Sequence, residues 1–272
     1  MTGVATQDRS RIQAQTRDGL VNDLHALGLT TGQIVLVHAS LRRIGWVQGG
    51  AATVVSAIRD VLGPAGTLVV PTETAGNSDS SREHLARIKR MTPDEVISYR
   101  ACMPPFDPET TASIGMGRIA EHVRTTPGAL RSAHPQSSFA ALGPMAAGLM
   151  TRHEPGCHLG ESSPLARLYD ASAQILLLGV GFEACTAFHL AEYRYIANPP
   201  RRTYRCVVLR NGRPQWRQYT DVVLDDSDFG ALGLDFDALG PVTRGQIGHA
   251  DCRLMPLISA VDFAGSWLRS HR

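Results

Sequence analysis

Apolar residues in this chain fall in short blocks punctuated by glycine and proline, and the spacing within each block names an element. Ile12, Leu20, Val21, Leu24 and Leu27 recur at helical intervals, which predicts an amphipathic helix from about Arg11 to Leu27, stopped by Gly28. The polar residues 1–9 before it read as a frayed end. Ile34–Val37 is a continuous apolar run ending at His38 and predicts a buried strand. Ala51–Leu62 reads as a helix stopped by Gly63-Pro64, and Thr67–Val70 as a strand stopped by Pro71. Strand, glycine-bearing loop, helix and strand in this order suggest a right-handed parallel unit.

The pattern then breaks. Residues 76–110 carry a serine-rich run, mixed charges and Pro104-Pro105, and read as an excursion of short helices and loops of the kind that frames a cleft. Beyond it, Ile114–Val123 predicts a helix, Ser138–Leu142 a strand, and Gly143-Pro144 the start of another helix. Ser163-Pro164 has the chemistry of a helix start, with serine as cap and proline in the first turn. Ile175–Gly179 is the most apolar block and predicts a central strand. Asn211-Gly212 between Tyr204–Leu209 and Gln215–Leu224 signals a hairpin, and Leu257–Leu268 a last helix. The expected fold class is α/β: a largely parallel central sheet flanked by helices, with an antiparallel hairpin in the C-terminal half and the excursion over the cleft. One domain is expected over residues 1–272, with the excursion at about 76–112.

Composition narrows the function classes. Twenty-seven basic residues against 25 acidic ones give a formal charge of +2, too balanced for a nucleic-acid partner. No apolar run approaches a membrane span, and no segment reads as a signal peptide. Five scattered cysteines read as reduced thiols, which with the foregoing predicts a cytoplasmic protein, monomer or homodimer.

Three constellations carry candidate chemistry. His189 and Glu192 stand three residues apart just after the central-strand block, on one helical face, with Thr186 three residues upstream. A carboxylate beside an imidazole fixes its tautomer and stabilises its protonated form, which suits proton removal from a nucleophile. His38, Ser40, Leu41 and Arg42, with Gly49-Gly50 ahead of a helix, form a loop able to receive an anion on main-chain amides. It is neither a Walker loop nor a dinucleotide fingerprint. Arg131, Ser132, His134, Ser137, Ser138 and Phe139 concentrate anion-binding groups in nine residues. Each also has a plainer reading, as a packed histidine, an ordinary loop or a polar turn. Cys185, near a helix start and four residues from His189, is a rival nucleophile, and His153, Cys157 and His158 have no standard zinc spacing. The basic run Arg82, Arg87, Lys89, Arg90 reads as a solvated helix face.

Taken in order along nearly the whole chain, these motifs resemble the aminoglycoside 3-N-acetyltransferase family. The resemblance rests on Val37-His38-Ala39-Ser40-Leu41 with Gly45 and Gly49-Gly50, and on Pro105-Phe106-Asp107-Pro108 with Thr110-Thr111. It continues through Arg131-Ser132, His134-Pro135 and Ser138-Phe139, then Leu159-Gly160-Glu161 with Ser163-Pro164. Leu176–Gly179 and Thr186 with His189 and Glu192 complete it. It implies acetyl-CoA as donor, no metal, and a small-molecule primary amine as acceptor. By resemblance His189 is the general base, Glu192 its partner, and Thr186 the group that steadies the tetrahedral intermediate; Asp221 orients the histidine or binds the amine. The resemblance places the coenzyme on the Ser40 loop and the 131–139 segment, and the acceptor on Thr72, Glu73, Asp107 and Glu161. The implied acceptor is the 3-amino group of an aminoglycoside antibiotic, in resistance or self-protection. Alternatives are another amine in antibiotic biosynthesis or detoxification, and a non-catalytic CoA-binding protein.

Overall fold

The computed structural model describes residues 14–272. The polar start and Ile12 lie outside the described residues. The first helix, α1 (Arg17–Leu27), is capped by the Thr16 hydroxyl and closed by Gly28. Strand β1 (Ile34–Ala39), the single turn α2 (Leu41–Ile44), α3 (Ala51–Leu62) and β2 (Thr67–Pro71) follow, with β1 and β2 parallel as the sequence predicts. The excursion holds α4 (Arg82–Ile88) and α5 (Pro93–Ala101), the latter started by a capping box between Thr92 and Glu95. Next come α6 (Gly117–Thr125), β3 (Leu130–Arg131), β4 (Phe139–Leu142), α7 (Ala146–Met150) and α8 (Pro164–Asp170), which Ser163 caps. Strand β5 (Gln174–Leu178) leads through a 3-10 turn to α9 (Phe188–Arg194). The hairpin β6 (Arg201–Arg210) and β7 (Arg213–Val222) turns at Asn211 and Gly212, both with positive φ, as a type I′ turn requires. It is followed by α10 (Phe229–Leu239), β8 (Thr243–Ile247), β9 (Ala250–Pro256) and α11 (Leu257–His271).

Among the described residues seven strands form one sheet in the order β3-β4-β2-β1-β5-β9-β8, and the β6-β7 hairpin stands apart. The parallel part is its centre, β2-β1-β5; β4 and β9 join its two edges antiparallel. Side chains alternate across the sheet, so Leu36, Val69, Ile175 and Leu177 pack with α7–α11. Val35, Val37, Leu68, Val70, Leu176 and Leu178 pack with α1, α3 and α6 on the other face. Burial on both faces explains why β1 and β5 read as unbroken apolar runs. α10, β8 and β9 were not expected from the sequence, although Phe229, Leu232 and Phe236 fall at helical spacing and Ala250, Cys252 and Leu254 alternate.

This topology positions the site. Strands β1 and β5 are adjacent and parallel, with His38 beside Leu177 and Ala39 beside Leu178. The chain leaving β1 turns to α2 and α3 on one face, whereas the chain leaving β5 turns to α9 on the other. Divergence at the C-terminal ends of neighbouring parallel strands opens a crevice, the usual ligand position in open α/β sheets. No described helix is long and apolar enough to cross a membrane.

Candidate active site

His189 stands in the first turn of α9, directly over that crevice. Its Nδ1 lies 2.6 Å from Glu192 Oε2, so the imidazole donates there and its Nε2 is the atom left to accept a proton. The His189 side chain is 13% exposed and Glu192 only 1%. A carboxylate that deep must be paired to remain ionised. Its second oxygen accepts from the Asp225 amide at 2.9 Å and from the Arg272 guanidinium at 2.5 Å.

Two cavities share this histidine in their walls, and a third adjoins the central one. The central one, about 220 Å³, is lined by His38, Glu73, Met116, Thr186, His189, Asp226 and neighbours. A larger one of about 730 Å³ opens beside it and shares Ala39, Gly115, Met116 and Val180. A third of about 280 Å³ shares Glu73, His189 and Asp226 and runs beneath the hairpin past Arg82, Glu83, His158, Arg202 and Tyr204. Met116 touches all three cavities, and the glycines on either side of it have φ of 80° and 81°. The sequence reading placed these residues within a helix from Ile114; α6 begins only at Gly117, because that backbone conformation ends regular structure.

Alternation along β1 and β2 sends His38 and Glu73 to the face that carries α9. His38 is buried, and its Nε2 finds no partner among the described residues. Burial, with His189 nearby as the lesser cause, pushes its pKa down to about 4, so it is neutral near pH 7. Burial lifts the Glu73 carboxyl above its ordinary range; His189 opposes the shift and Asp226 reinforces it. The Thr186 hydroxyl lines the same cavity and makes no hydrogen bond to the described residues.

The larger cavity brings together part of the loop that the sequence singled out. Ser40, Leu41, Arg42 and Gly50 line it, together with Gly45, Trp46, Val47 and Arg118. Gly50 is the N-cap of α3, and its amide donates to the Val47 carbonyl at 3.0 Å. Arg42 and Arg118 form no ion pair with the described residues. Apolar walls and two guanidiniums suit a ligand with an apolar arm and phosphates.

The 131–139 segment does not belong to that site. Arg131 spends its donors inside the protein: on Ser138 Oγ at 3.0 Å and on the carbonyls of Thr72 at 2.7 Å, Thr111 at 2.5 Å and Pro108 at 3.3 Å. Burial pushes its pKa down to about 10. Ser132 bonds His153 Nδ1 and the Phe139 amide, His134 bonds the Pro155 carbonyl and accepts from Gln136 and Ser137, and Ser138 bonds Thr72. Phe139 is core. Anion-binding composition was misread there because the carbonyls that satisfy it arrive from other parts of the chain. Gly49 is exposed beside the cavity rather than in its wall.

Several acceptor assignments are corrected likewise. Thr72 is buried under Arg131 and Ser138, Asp107 caps its own turn through the Glu109 amide at 2.8 Å, and Glu161 forms an outward ion pair with Arg194 at 2.6 Å. Asp221 does not reach His189. Its Oδ2 accepts from His158 Nδ1 at 2.8 Å, from the His158 amide at 2.6 Å and from the Tyr193 hydroxyl at 2.7 Å. Sequence reasoning missed Asp226, Met116, Arg82 and Arg202. Arg82, read as a solvated face, pairs with Asp226 at 2.7 Å.

The rivals fare differently. Cys185 is fully buried, and burial pushes its thiol up to about 12, far from a thiolate nucleophile. His153 uses Nδ1 on Ser132 and Nε2 on the His158 carbonyl. No group of three or more ligating side chains able to hold a metal occurs among the described residues.

Comparison with known proteins agrees over nearly the full length. The family model described as aminoglycoside 3-N-acetyltransferase matches residues 36–269. The SPbeta prophage-derived aminoglycoside N(3')-acetyltransferase-like protein YokD of Bacillus subtilis is 37% identical over 256 residues, covering 93% of this chain and 92% of that protein. Its crystal structure superposes with a TM-score of 0.89, 36% identity and 96% of both chains covered. AAC-IIIb, solved as a binary complex with CoASH, gives 0.82 at 31% identity, covering 95% of this chain and 98% of that one. AAC-VIa bound to sisomicin gives 0.81 at 32%, covering 96% and 99%.

Proposed function

Because the chain belongs to the aminoglycoside 3-N-acetyltransferase family, we propose that it transfers acetyl from acetyl-CoA to a primary amine, the 3-amino group of an aminoglycoside, by direct transfer. The observation that carries this reading is the placement of His189. Its Nδ1 is locked on a buried carboxylate, and its ring stands in the wall common to the central and third cavities. The larger cavity adjoins the central one along Ala39, Gly115, Met116 and Val180, so the donor would approach from there and the acceptor from the third cavity. That AAC-IIIb was solved with CoASH and AAC-VIa with sisomicin supports a coenzyme and an aminoglycoside as the two ligands.

When bound, acetyl-CoA supplies a thioester whose C–S bond breaks as the amine nitrogen forms its bond to the acetyl carbon. Arg42 and Arg118 would hold its phosphates. An amine is mostly protonated in neutral water and attacks only as the free base. Glu73 and Asp226 would draw the ammonium in, and His189 Nε2 takes its proton while Glu192 steadies the imidazolium. Such a base is worth about 10²–10⁴ in rate. The Thr186 hydroxyl is placed to donate to the acetyl oxygen as negative charge develops. His38, neutral, adds no competing charge beside that oxygen.

The role that follows is modification of an antibiotic, in resistance or self-protection. All five cysteines are unpaired, which supports a reducing, cytoplasmic setting. One observation favours a second reading of the acceptor. The third cavity holds Arg82 and Arg202 beside its carboxylates, an arrangement suited to an amine that also carries an anionic group. Thiol release and product mass with acetyl-CoA and sisomicin, run beside amines bearing a carboxylate or phosphate, decide between them. Acetylated sisomicin is the expected product; no acetylated product with any amine would overturn the transferase reading.

A further inference from the structure

We propose that Arg272 is a positioning residue for the His189–Glu192 pair, holding the carboxylate in the orientation that aims His189 Nε2 at the acceptor. The inference rests on His189 being the base. Arg272 follows α11, 80 positions from Glu192, and its guanidinium reaches the carboxylate at 2.5 Å. Its other donors are held on Asp228 at 2.6 Å and 2.7 Å and on the Asp225 carbonyl. Glu192 is thus gripped at both oxygens, by His189 on one and by Arg272 with the Asp225 amide on the other.

Two physical consequences follow. A carboxylate 1% exposed is costly to bury unpaired, and the guanidinium on its second oxygen supplies a permanent opposite charge. The same guanidinium also pins the 225–228 segment, which carries Asp226 into the cavity wall. Burial alone would lower the Arg272 pKa, but its bonds to Asp228 and Glu192 outweigh that and raise it, so the cation persists at any working pH.

The charged and titratable groups around the pair are His38 on β1, Glu73 after β2, His158 before α8, and Asp225, Asp226 and Asp228 before α10, with Arg82 bound to Asp226. Against that unchanged background, removing the cation raises the proton affinity of the pair, whichever of its two members takes the proton. The acid limb of the pH–rate profile therefore moves to higher pH.

The test uses the full chain with acetyl-CoA and sisomicin. Arg272→Ala should lower kcat roughly tenfold or more and move the acid limb up by on the order of one pH unit, with the KM for acetyl-CoA little changed. Arg272→Lys keeps the charge and should return the limb while recovering part of kcat. Asp228→Asn loosens the grip and keeps the cation, so kcat falls with the limb in place. A folded Arg272→Ala protein with parental kcat and acid limb overturns the proposal. Should that variant not fold, parental kcat in both Arg272→Lys and Asp228→Asn overturns it instead. His189→Ala run in parallel separates the two readings. If it keeps turnover, the base assignment has failed; if it is inactive while the Arg272 variants are normal, only this inference has.

Discussion

Among the described residues stand two imidazole–carboxylate pairs of nearly the same geometry, and one of them has the surroundings of a base. His189 and Glu192 meet at 2.6 Å, His158 and Asp221 at 2.8 Å, and each carboxylate is 1% exposed. The difference lies in what else touches them. Asp221 also accepts from the His158 amide and from Tyr193, and His158 packs among His134, Tyr204 and Tyr219 with ring centroids 4.6, 4.2 and 5.4 Å away. That pair ties the 153–160 segment to the hairpin. His158 also borders the third cavity, but its Nε2 lies 3.5 Å from the Tyr219 hydroxyl. Glu192 instead has an arginine behind it, and His189 Nε2 meets no partner among the described residues at the central cavity. A histidine beside a carboxylate becomes a proton acceptor when its second nitrogen faces room for a substrate, and a structural tie when packing surrounds the ring.

The largest effect that sharpens this contrast is acid lability. Burial holds His38 down to about 4, His153 down to about 3, and His134 and His158 below the ordinary histidine value. The unfolded chain therefore binds protons that the folded chain refuses. Stability should be intact above about pH 6.5 and fall as pH drops toward the folded values, with a slope of up to on the order of 5 kcal/mol per pH unit for four imidazoles. Denaturant midpoints between pH 7 and pH 5 measure it, and a flat profile would mean these rings are not held neutral.

Next in size is Asp221→Ala. It strips the partner from His158, Tyr193 and two amides and should cost about 3–5 kcal/mol in chemical denaturation. The molecules that remain folded should keep much of their turnover. Selective loss of turnover at parental stability would break the distinction between the pairs.

A smaller effect compares the two arginine-bearing segments. Arg42→Ala should raise the KM for acetyl-CoA by roughly tenfold, less at high salt, because one phosphate contact is removed. Arg131→Ala should lower stability and leave that KM nearly unchanged in the folded fraction, since its donors serve carbonyls of the fold.

What was legible in the sequence follows the range of the interactions. Helix α3 was readable to its ends, because its period and its glycine stops are local, and β5 was readable as central because nothing polar interrupts it. His189, Glu192 and Thr186 were readable because seven consecutive residues carry them. Asp221 was read as orienting the histidine or binding the amine; its contact with His158, 63 positions away, was not legible because only packing selects it. Arg272 was invisible for the same reason. Arg131 has the composition of an anion site, and nothing local announces the three carbonyls that satisfy it.

The most direct test of the account is the turnover of His189→Asn set against its affinity for the coenzyme. The account predicts kcat down by about 10²–10⁴ with the dissociation constant for CoA within about twofold of the parent, since the larger cavity lies beyond the ring. Near-parental acetyl transfer by that variant, or loss of CoA binding in step with turnover, would contradict it.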